Sequence, residues 1–475
     1  MGFDESLDHY VESVMPRYAD ELMTLVRVPS ISAGTFPVPQ APPELEVYRE
    51  RRAHLLSMAR TMGDVLNSYG FFEFDAVIND THNPLIIASM VDGPTLPWVT
   101  IYNHMDVQPA AEPEWTTDPF KPVLQDGKII GRGTTDDKGP ALGIIHAINF
   151  LRKNGYALPN IQIIYETEEE IGSPNFGRVL EDLIHTGKVH KPDSILISDT
   201  VFQGDNPTIS YKMRGMLRLH MFLQTATKEV HSGTTGGVSR NAFGILMRAA
   251  LSCKDEEGRI LISGFYDNVP DLSQKEWKEL GRAAERFDLE RFKRDTGVEE
   301  TTTSDAYTAL RRLWHDATFE LHGAEGIQYK PSEIKSVVPG KVTVKASIRL
   351  IPGQDPEDIL KKVQAYVIRT HPNIKVTGNG QPASIIDTNN SYAKKAEEAC
   401  LYGFESNPVY VGCGATIGSV PQFQRIYPGV PMILISQSLL SDGYHAPNEC
   451  FSLDQAAKGI KVMAKYLHEI AKLRA

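Results

Sequence analysis

Three short runs of almost uninterrupted apolar residues constrain the fold of this chain more than any other feature. They are IQIIY (161–165), SILIS (194–198) and PMILIS (431–436). Strands that are buried on both faces, in parallel or mixed sheets, have this composition. A fourth apolar stretch, WVTIYN (98–103), and a helical pattern over GPALGIIHAINFLRKNGY (139–156) lie between the N-terminal region and these runs. The alternation of such strands with helices predicts a layered α/β/α domain built on a mixed sheet.

The middle of the chain follows a different pattern. The stretches MLRLHMFLQT (216–225) and KVTVKASIRLIP (341–352) alternate apolar and polar residues, which is typical of an antiparallel sheet with one exposed face. The stretch PEDILKKVQAYVIRTH (356–371) has the periodicity of an amphipathic helix. Because 475 residues exceed what one hydrophobic core normally organises, we predict a first domain interrupted by an inserted α+β sandwich. The predicted boundaries give residues 1–209 and 385–475 to the first domain and residues 210–384 to the insertion.

The composition argues against several classes of protein. A formal net charge of −11 disfavours a protein that works on nucleic acid, which requires a basic face. No apolar run approaches the roughly 18 residues of a membrane span, and the N-terminal stretch MGFDESLDHY lacks the pattern of a secretory signal. The four cysteines are widely spaced and form no C-x-x-C pair, as expected of free thiols in a reducing compartment. We therefore expect a cytoplasmic protein without nucleic-acid or membrane partners.

Acidic and histidine residues follow the predicted buried strands. In chain order they are His104 and Asp106 after WVTIYN, Asp136 and Asp137 among glycines at a helix start, Glu169 and Glu170 after IQIIY, Asp199 after SILIS, and His445 after PMILIS. In open α/β sheets, ligands bind beyond the carboxyl ends of the strands. The five segments are therefore predicted to converge on one site.

The types of side chain at these strand ends are those of a metal site. Histidines and carboxylates without cysteine suit zinc, manganese or cobalt, and there are enough of them for two ions that share a carboxylate. A pair of such ions can activate a water, and a nearby carboxylate that is not a ligand can accept its proton. Each feature also has an ordinary explanation: His104 as a structural histidine, Asp136 and Asp137 as helix caps, the glutamate run as a solvated loop. Their joint occurrence at strand ends favours the metal site.

These motifs resemble the two-metal aminoacylase/carboxypeptidase family of metallopeptidases, and above all its carnosinase-like, cytosolic nonspecific dipeptidase branch. The shared stretches are HMDVQPA, DGKIIGRGTTDDKGP, EEIGS, ISDT, VHSGTTGG, SIRLIPG and GYHAPNE. They occur in the order of the family and extend over most of the chain. The resemblance implies a catalytic domain of the α/β/α kind and an inserted domain that acts as a lid and forms dimers.

The resemblance also implies a role for each residue at the strand ends. Two divalent metal ions, zinc or manganese, would be held by His104 and Asp199, by Glu170 and His445, and by a bridging Asp136. Asp106 would lie behind His104 and orient its imidazole. Glu169 would be the general base, and Asp137 would face away from the metals. Glu166 and Glu168, the other acidic residues of YETEEEIGSP, have no implied role and are expected to be solvated or to support the ligands.

Three further residues are implied to act on the substrate. His231, in HSG, would reach the active site of a partner subunit and stabilise the oxyanion. Arg349, in SIRL, would bind the substrate carboxylate through its guanidinium fork, and Ser419 would position the substrate. His231 could instead be a turn histidine and Arg349 a strand-edge charge. The expected function is that of a homodimeric dipeptidase or small-peptide carboxypeptidase. N-acyl-amino-acid deacylation and a catalytically silent metal-binding role are the alternatives.

Overall fold

The apolar runs of the sequence become strands in the computed structural model, which describes residues 2–39, 42–327 and 336–473. The strands of these residues are β1 (Glu73–Asn79), β2 (His82–Met90), β3 (Trp98–His104), β4 (Val123–Gln125), β5 (Lys128–Ile130), β6 (Asn160–Glu166), β7 (Ser194–Ile197), β8 (Thr208–Met213), β9 (Gly215–Gln224), β10 (Val230–His231), β11 (Thr318–Glu325), β12 (Val337–Val338), β13 (Lys341–Leu350), β14 (Lys375–Gln381), β15 (Ser384–Ile385), β16 (Val409–Cys413), β17 (Met432–Leu434) and β18 (Cys450–Ser452).

Helices surround the strands. They are α1 (Phe3–Val26), α2 (Pro42–Ser68), α3 (Gly139–Asn154), α4 (Phe176–His185), α5 (Ser232–Thr235), α6 (Ala242–Leu251), α7 (Gln274–Ala284), α8 (Leu289–Thr296), α9 (Ala306–Trp314), α10 (Pro356–Val367), α11 (Ser391–Phe404), α12 (Ser419–Ile426) and α13 (Leu453–Ile470). A wide turn over Thr134–Lys138 precedes α3, and a short 3₁₀ turn covers Glu169–Ile171. Among the helices of the described residues, none is long and apolar enough to cross a bilayer.

The central sheet has six strands in the order β1-β2-β6-β3-β7-β17. The pairs β1/β2 and β2/β6 are antiparallel, whereas β6, β3, β7 and β17 run parallel to one another. Every residue of β6 is buried, as the apolar run IQIIY predicted. Because four neighbouring strands run parallel, their carboxyl ends lie along one edge of the sheet, where loops can gather side chains.

Helices pack on both faces of this sheet. Helices α1, α2, α3, α11 and α13 share a core with Ile101 and Ile163 on one face. Helices α4 and α12 pack against Tyr102 and Ile164 on the other face. Successive residues of a strand point to opposite faces, so each buried strand supplies both cores. The α/β/α arrangement predicted from the sequence is confirmed.

A second sheet of four antiparallel strands has the order β11-β13-β9-β14. Burial alternates along β9, where Leu219 and Met221 are buried and His220 between them is exposed. Helices α6 and α10 cover the buried face through Leu246 and Val363. The alternating pattern in the middle of the sequence therefore predicted an α+β unit correctly.

A small sheet, β15-β8-β16, joins the two parts of the molecule. Helices α7 and α9 pack on β16 through Leu280, Leu310 and Trp314, which contact Val411. Strand β8 runs through the predicted boundary at 209/210, and β15 begins at residue 384. The domain limits proposed from the sequence stay predictions.

The central position of β6 leads to a prediction about stability. Ile163 is fully buried there, whereas Ile78 in the edge strand β1 is 50% exposed. The substitution Ile163→Ala is expected to lower the free energy of unfolding by about 2–5 kcal/mol, because it loses buried surface and leaves a cavity. The control Ile78→Ala should change it by about 0.5 kcal/mol or less. Urea unfolding followed by tryptophan fluorescence measures both, and equal effects would contradict this placement of β6.

Candidate active site

Strand β3 ends at His104, which is fully buried. Its Nε2 lies 2.9 Å from Asp136 Oδ1 and 3.9 Å from Asp199 Oδ2. Its Nδ1 lies 3.0 Å from the carbonyl oxygen of Asp106 and 3.5 Å from Asp106 Oδ1. The two residues lie together, as their spacing in an extended segment predicted, and Asp106 occupies the side of the imidazole opposite Asp136.

Asp136 lies between two histidines. The turn Thr134–Lys138 has non-helical backbone angles at Asp136 and Asp137, which turn the two side chains in different directions. One carboxylate oxygen of Asp136 faces His104, and the other lies 2.9 Å from His445 Nε2. Asp137 instead accepts a hydrogen bond of 2.7 Å from Asn103 Nδ2. The arrangement leaves Asp136 as the carboxylate that can serve two positions at once.

The five predicted ligands form two groups that share Asp136. His104, Asp136 and Asp199 make one group, and Asp136, Glu170 and His445 make the other. In each group, one ligand atom per residue lies within 4.8 Å of the others. Glu170 Oε2 is 3.1 Å from His445 Nε2, whose side chain is 54% exposed, so the second group opens towards solvent. Sequence positions from 104 to 445 are thus brought together in the predicted combination.

The electrostatics of the pocket fit positive ions. Burial disfavours a charged imidazole at His104, yet Asp106 and Asp136 raise the pKa of His104 well above its ordinary value. Burial raises the pKa of Asp199 to about 7, and the carboxylate of Asp136 adds to the rise. Like charges this close disfavour ionisation unless a cation joins them. The oxygen and imidazole donors are those that zinc and manganese prefer, so divalent cations fit these residues.

The glutamate run folds as a turn whose backbone N–H groups are bound by the Asp106 carboxylate. The backbone N–H of Glu169 donates to Asp106 Oδ1 (3.2 Å), and that of Glu170 donates to Asp106 Oδ2 (3.0 Å). The side chain of Gln108 donates to Glu170 Oε2 at 2.7 Å. Asp106 therefore contacts both the imidazole of His104 and the turn, and it fixes the backbone of the two glutamates.

Glu169 lies beside the two ligand groups and belongs to neither. Its Oε1 accepts a long hydrogen bond of 3.4 Å from the backbone N–H of Gly418. Burial raises the pKa of Glu169 well above its ordinary range, and the carboxylates of Asp199 and Glu170 raise it further, although His104 opposes them. The adjacent residues Glu170 and Glu169 thus place one carboxylate in a ligand group and the other beside it.

Glu166 and Glu168 were expected to be solvated or to support the ligands. They are buried, with 2% and 4% exposure, so the first alternative is wrong and the second is left. Glu168 Oε1 accepts the backbone N–H of Asn83 (2.7 Å), and its carboxylate also accepts the side-chain amide of Asn175. Glu166 accepts hydrogen bonds from the hydroxyls of Tyr102 and Ser173. Burial raises the pKa of Glu166 to about 8. Both side chains support the turn from the sheet below it.

The three residues predicted to act on the substrate, Arg349, Ser419 and His231, differ in their exposure and in their hydrogen-bond partners. Arg349, in β13, donates from Nη1 to Thr416 Oγ1 at 3.0 Å. Ser419 begins α12 and is fully buried, and its hydroxyl has no partner among the described residues. His231 is exposed, and its Nδ1 accepts the backbone N–H of Gly233 in its own loop at 3.0 Å. Within this one chain, His231 is not part of either ligand group.

Sequence reasoning missed several supporting residues. Gln108 continues the two-residue spacing of His104 and Asp106, so the strand pattern could have found it. Thr416 and Glu449 contact the predicted site residues only through folds of the chain hundreds of residues long, and no local signal identifies them.

The fold and the pocket together define a class. An α/β/α sheet that gathers two carboxylate–histidine groups around a shared aspartate, with a further carboxylate beside them, is typical of a metal-dependent hydrolase. The chain belongs to Peptidase family M20/M25/M40, whose model matches residues 100–469. The family resemblance predicted from the motifs is confirmed, and with it a metallopeptidase that uses divalent metal.

Individual proteins of known sequence and structure extend the similarity. The Beta-Ala-His dipeptidase of Homo sapiens is 33% identical over 406 residues, which are 82% of this chain and 78% of that protein. The Cys-Gly metallodipeptidase dug1 of Schizosaccharomyces pombe is 31% identical over 407 residues, 82% of this chain and 83% of that protein. The crystal structure of human carnosine dipeptidase 1 matches with a TM-score of 0.86 and 28% identity, covering 100% of both chains. The Dug1p structure of Saccharomyces cerevisiae matches with 0.88 and 24% identity over 99% of both chains, which supports the fold.

The shared position of Asp136 predicts how metal binding responds to substitution. Asp136→Asn is expected to weaken binding of Zn²⁺ in both groups by more than the ~10–100-fold that changes outside the ligand set typically cause. Asp199→Asn should weaken one group and spare the other. The control Asp205→Asn removes an exposed ion pair with Arg291 and should leave binding unchanged. Chelator competition and metal analysis after dialysis give the affinities and stoichiometry. Retention of two tightly bound ions by Asp136→Asn would contradict the bridging position.

Proposed function

We propose that this chain is a dinuclear metallodipeptidase that hydrolyses dipeptides or small peptides with a free C-terminal carboxylate. The two ligand groups would hold two Zn²⁺ or Mn²⁺ ions. The observation that carries the proposal is Glu169, a half-buried carboxylate that lies beside both groups and belongs to neither. The names of two similar proteins, a Beta-Ala-His dipeptidase and a Cys-Gly metallodipeptidase, support the dipeptide as substrate.

Glu169 would act as the general base and then as the general acid. Bound divalent ions would polarise the scissile carbonyl and lower the pKa of the attacking water. Glu169 accepts the proton of that water and delivers it to the departing amine, so the carboxylate returns to its starting state. Asp106 accepts the backbone N–H of Glu169 and so fixes the backbone of the turn that carries this carboxylate.

Arg349 would bind the C-terminal carboxylate of the peptide. Within the described residues, no carboxylate forms an ion pair with its guanidinium, and only Thr416 Oγ1 receives a hydrogen bond from it. The Thr416 hydroxyl in turn donates to the carbonyl oxygen of Arg214 at 2.6 Å. A hydroxyl fixed in this way orients one side of the guanidinium and leaves its other donors for the substrate. Ser419, buried close to Gly418 and Glu169, would position the substrate backbone.

His231 would act across a dimer. It is exposed on the inserted unit, and its backbone pairs with Val337 of β12. Its imidazole Nδ1 accepts the N–H of Gly233, and its carbonyl oxygen accepts the hydroxyls of Thr234 and Thr235. A cationic or hydrogen-bonding imidazole that stabilises an oxyanion must reach the scissile carbonyl, which this loop does not do within one chain. We therefore assign the insertion, residues 210–384, the roles of lid and dimer contact, with His231 entering the partner's site.

The role of Glu169 can be tested by an isosteric change. Glu169→Gln is expected to lower kcat for an unblocked dipeptide at least ~100-fold, because the amide cannot accept the proton. Zn²⁺ affinity should stay unchanged, since Glu169 is not a ligand. The control Glu181→Gln breaks an exposed ion pair with Arg425 and should retain activity. Assays on an unblocked dipeptide and an N-acyl amino acid also separate the dipeptidase from a deacylase. Full hydrolysis by Glu169→Gln would remove the proposed base.

The carboxylate contact predicts a change in KM. Thr416→Val removes the hydroxyl that orients Arg349, and Thr416→Ser keeps it. A lost hydrogen bond to a charged group costs about 1.5–3 kcal/mol, so KM for a free dipeptide should rise roughly 10–100-fold in the valine variant and little in the serine variant. The C-terminally amidated dipeptide should show no such difference. Equal losses on the free and amidated dipeptides would contradict carboxylate binding by Arg349.

A further inference from the structure

We propose that Glu449 is a positioning residue that holds Asp136 in its place between the two ligand groups. Glu449 lies four residues beyond His445, in the stretch GYHAPNE, and is fully buried. The inference rests on the proposed role of Asp136 as the shared ligand. It extends that role by naming the group that fixes the backbone beneath it.

The carboxylate of Glu449 lies among backbone donors of the turn that carries Asp136. It accepts the N–H groups of Gly133 (3.0 Å), Thr135 (3.0 Å) and Asp136 (3.1 Å). The carbonyl oxygen of Glu449 also accepts the N–H of Gly131 at 2.9 Å. Several amides of one loop pointing at a single anion form a concave binding site for that anion.

The turn needs such an acceptor because it is not a regular helix. Asp136 has φ −122° and ψ 86°, and Asp137 has φ −135° and ψ 17°. Helical N–H groups bond to carbonyls of the preceding turn, and residues with these angles cannot continue that pattern. The N–H of Asp136 therefore depends on the Glu449 carboxylate, and the backbone position of Asp136 depends on the same bond.

Arg132 allows a second carboxylate to lie this close to Asp136. Its Nη1 donates to Glu449 Oε2 at 2.8 Å, and its side chain is 1% exposed. The guanidinium also lies over the ring of Trp115, 5.3 Å from the centroid. A buried carboxylate paired with a buried arginine adds no net charge to the ligand pocket. Glu449 can therefore anchor the turn without competing for the cations.

The same residue fixes the loop that carries His445. This loop is tight, with positive φ at His445 (57°) and Asn448 (61°). Asn448 Oδ1 accepts the N–H of Thr116 at 2.8 Å, which holds the loop at a second point. With Glu449 joined to the turn of Asp136, the distance of 2.9 Å between Asp136 Oδ2 and His445 Nε2 is set from both sides.

The test measures Zn²⁺ binding on the full-length chain. Glu449→Gln removes the charge and leaves Arg132 unpaired. Glu449→Asp keeps the charge but shortens the side chain, so that it no longer reaches all three N–H groups. We expect both variants to bind Zn²⁺ about 10–100-fold more weakly in a chelator competition, the range typical of changes behind metal ligands. We expect kcat to fall with little change in KM.

A matched control separates positioning from general stability. Glu276→Gln breaks a partly buried ion pair with Lys212 at 2.5 Å, and neither residue belongs to a ligand group. It should lower the unfolding temperature while Zn²⁺ affinity stays at the wild-type value. Wild-type Zn²⁺ affinity in a folded Glu449→Asp or Glu449→Gln variant would overturn the proposal. So would an equal loss of affinity in Glu276→Gln.

The outcome is distinguishable from failure of the proposed function. If the wild-type chain binds Zn²⁺ but hydrolyses no dipeptide, the dipeptidase proposal fails while the affinity comparison still decides the role of Glu449. If Glu449→Gln does not fold, as judged by far-ultraviolet circular dichroism, the shorter and still charged aspartate variant provides the comparison.

Discussion

The structure depends on gathering several carboxylates into one buried pocket at the ends of parallel strands. Asp136 sits between His104 and His445, and Asp199 and Glu170 complete the two groups around it. Burial and mutual repulsion make this arrangement unfavourable for a chain alone. Divalent cations offset that repulsion. The close carboxylates therefore give the pocket its affinity for metal, and metal binding in turn stabilises the folded pocket.

Two carboxylates outside the ligand groups fix the backbone of the turns that carry the acidic residues. Asp106 accepts the backbone N–H groups of the turn that carries Glu169 and Glu170. Glu449 accepts those of the turn that carries Asp136. In both cases a carboxylate binds backbone amides rather than a metal ion, and its side-chain partner, His104 or Arg132, is itself buried. Hydrogen bonds to the main chain therefore organise the pocket, because they fix the backbone positions from which the candidate ligand side chains extend.

The antiparallel unit contributes to the same pocket from outside. Strand β13 places Arg349 against Thr416, which belongs to the loop before α12. The side chain of Gln381, at the end of β14, donates to the carbonyl oxygen of Gly172, just after the glutamate turn. Contacts of this kind connect the position of the second sheet to the turn that carries Glu169 and Glu170. The residue proposed to bind substrate, Arg349, and the proposed base, Glu169, therefore come from different sheets.

Sequence patterns predicted the strands β3, β6 and β7 and the candidate ligands at their ends, because a buried strand and the residues after it form a local pattern. The burial of Glu166 and Glu168 required the fold, because their acidic run has the composition of a solvated loop. Distant residues, Tyr102 for Glu166 and Asn83 for Glu168, donate hydrogen bonds to them. Tertiary structure also decided the partner of Glu449, since the amides that its carboxylate accepts lie more than 300 residues earlier in the chain. Hydrophobic periodicity predicts which face of a helix or strand is buried, but it does not predict which distant segment packs against that face. The positions of the ligands could therefore be predicted, whereas the hydrogen bonds that hold them in place required the fold.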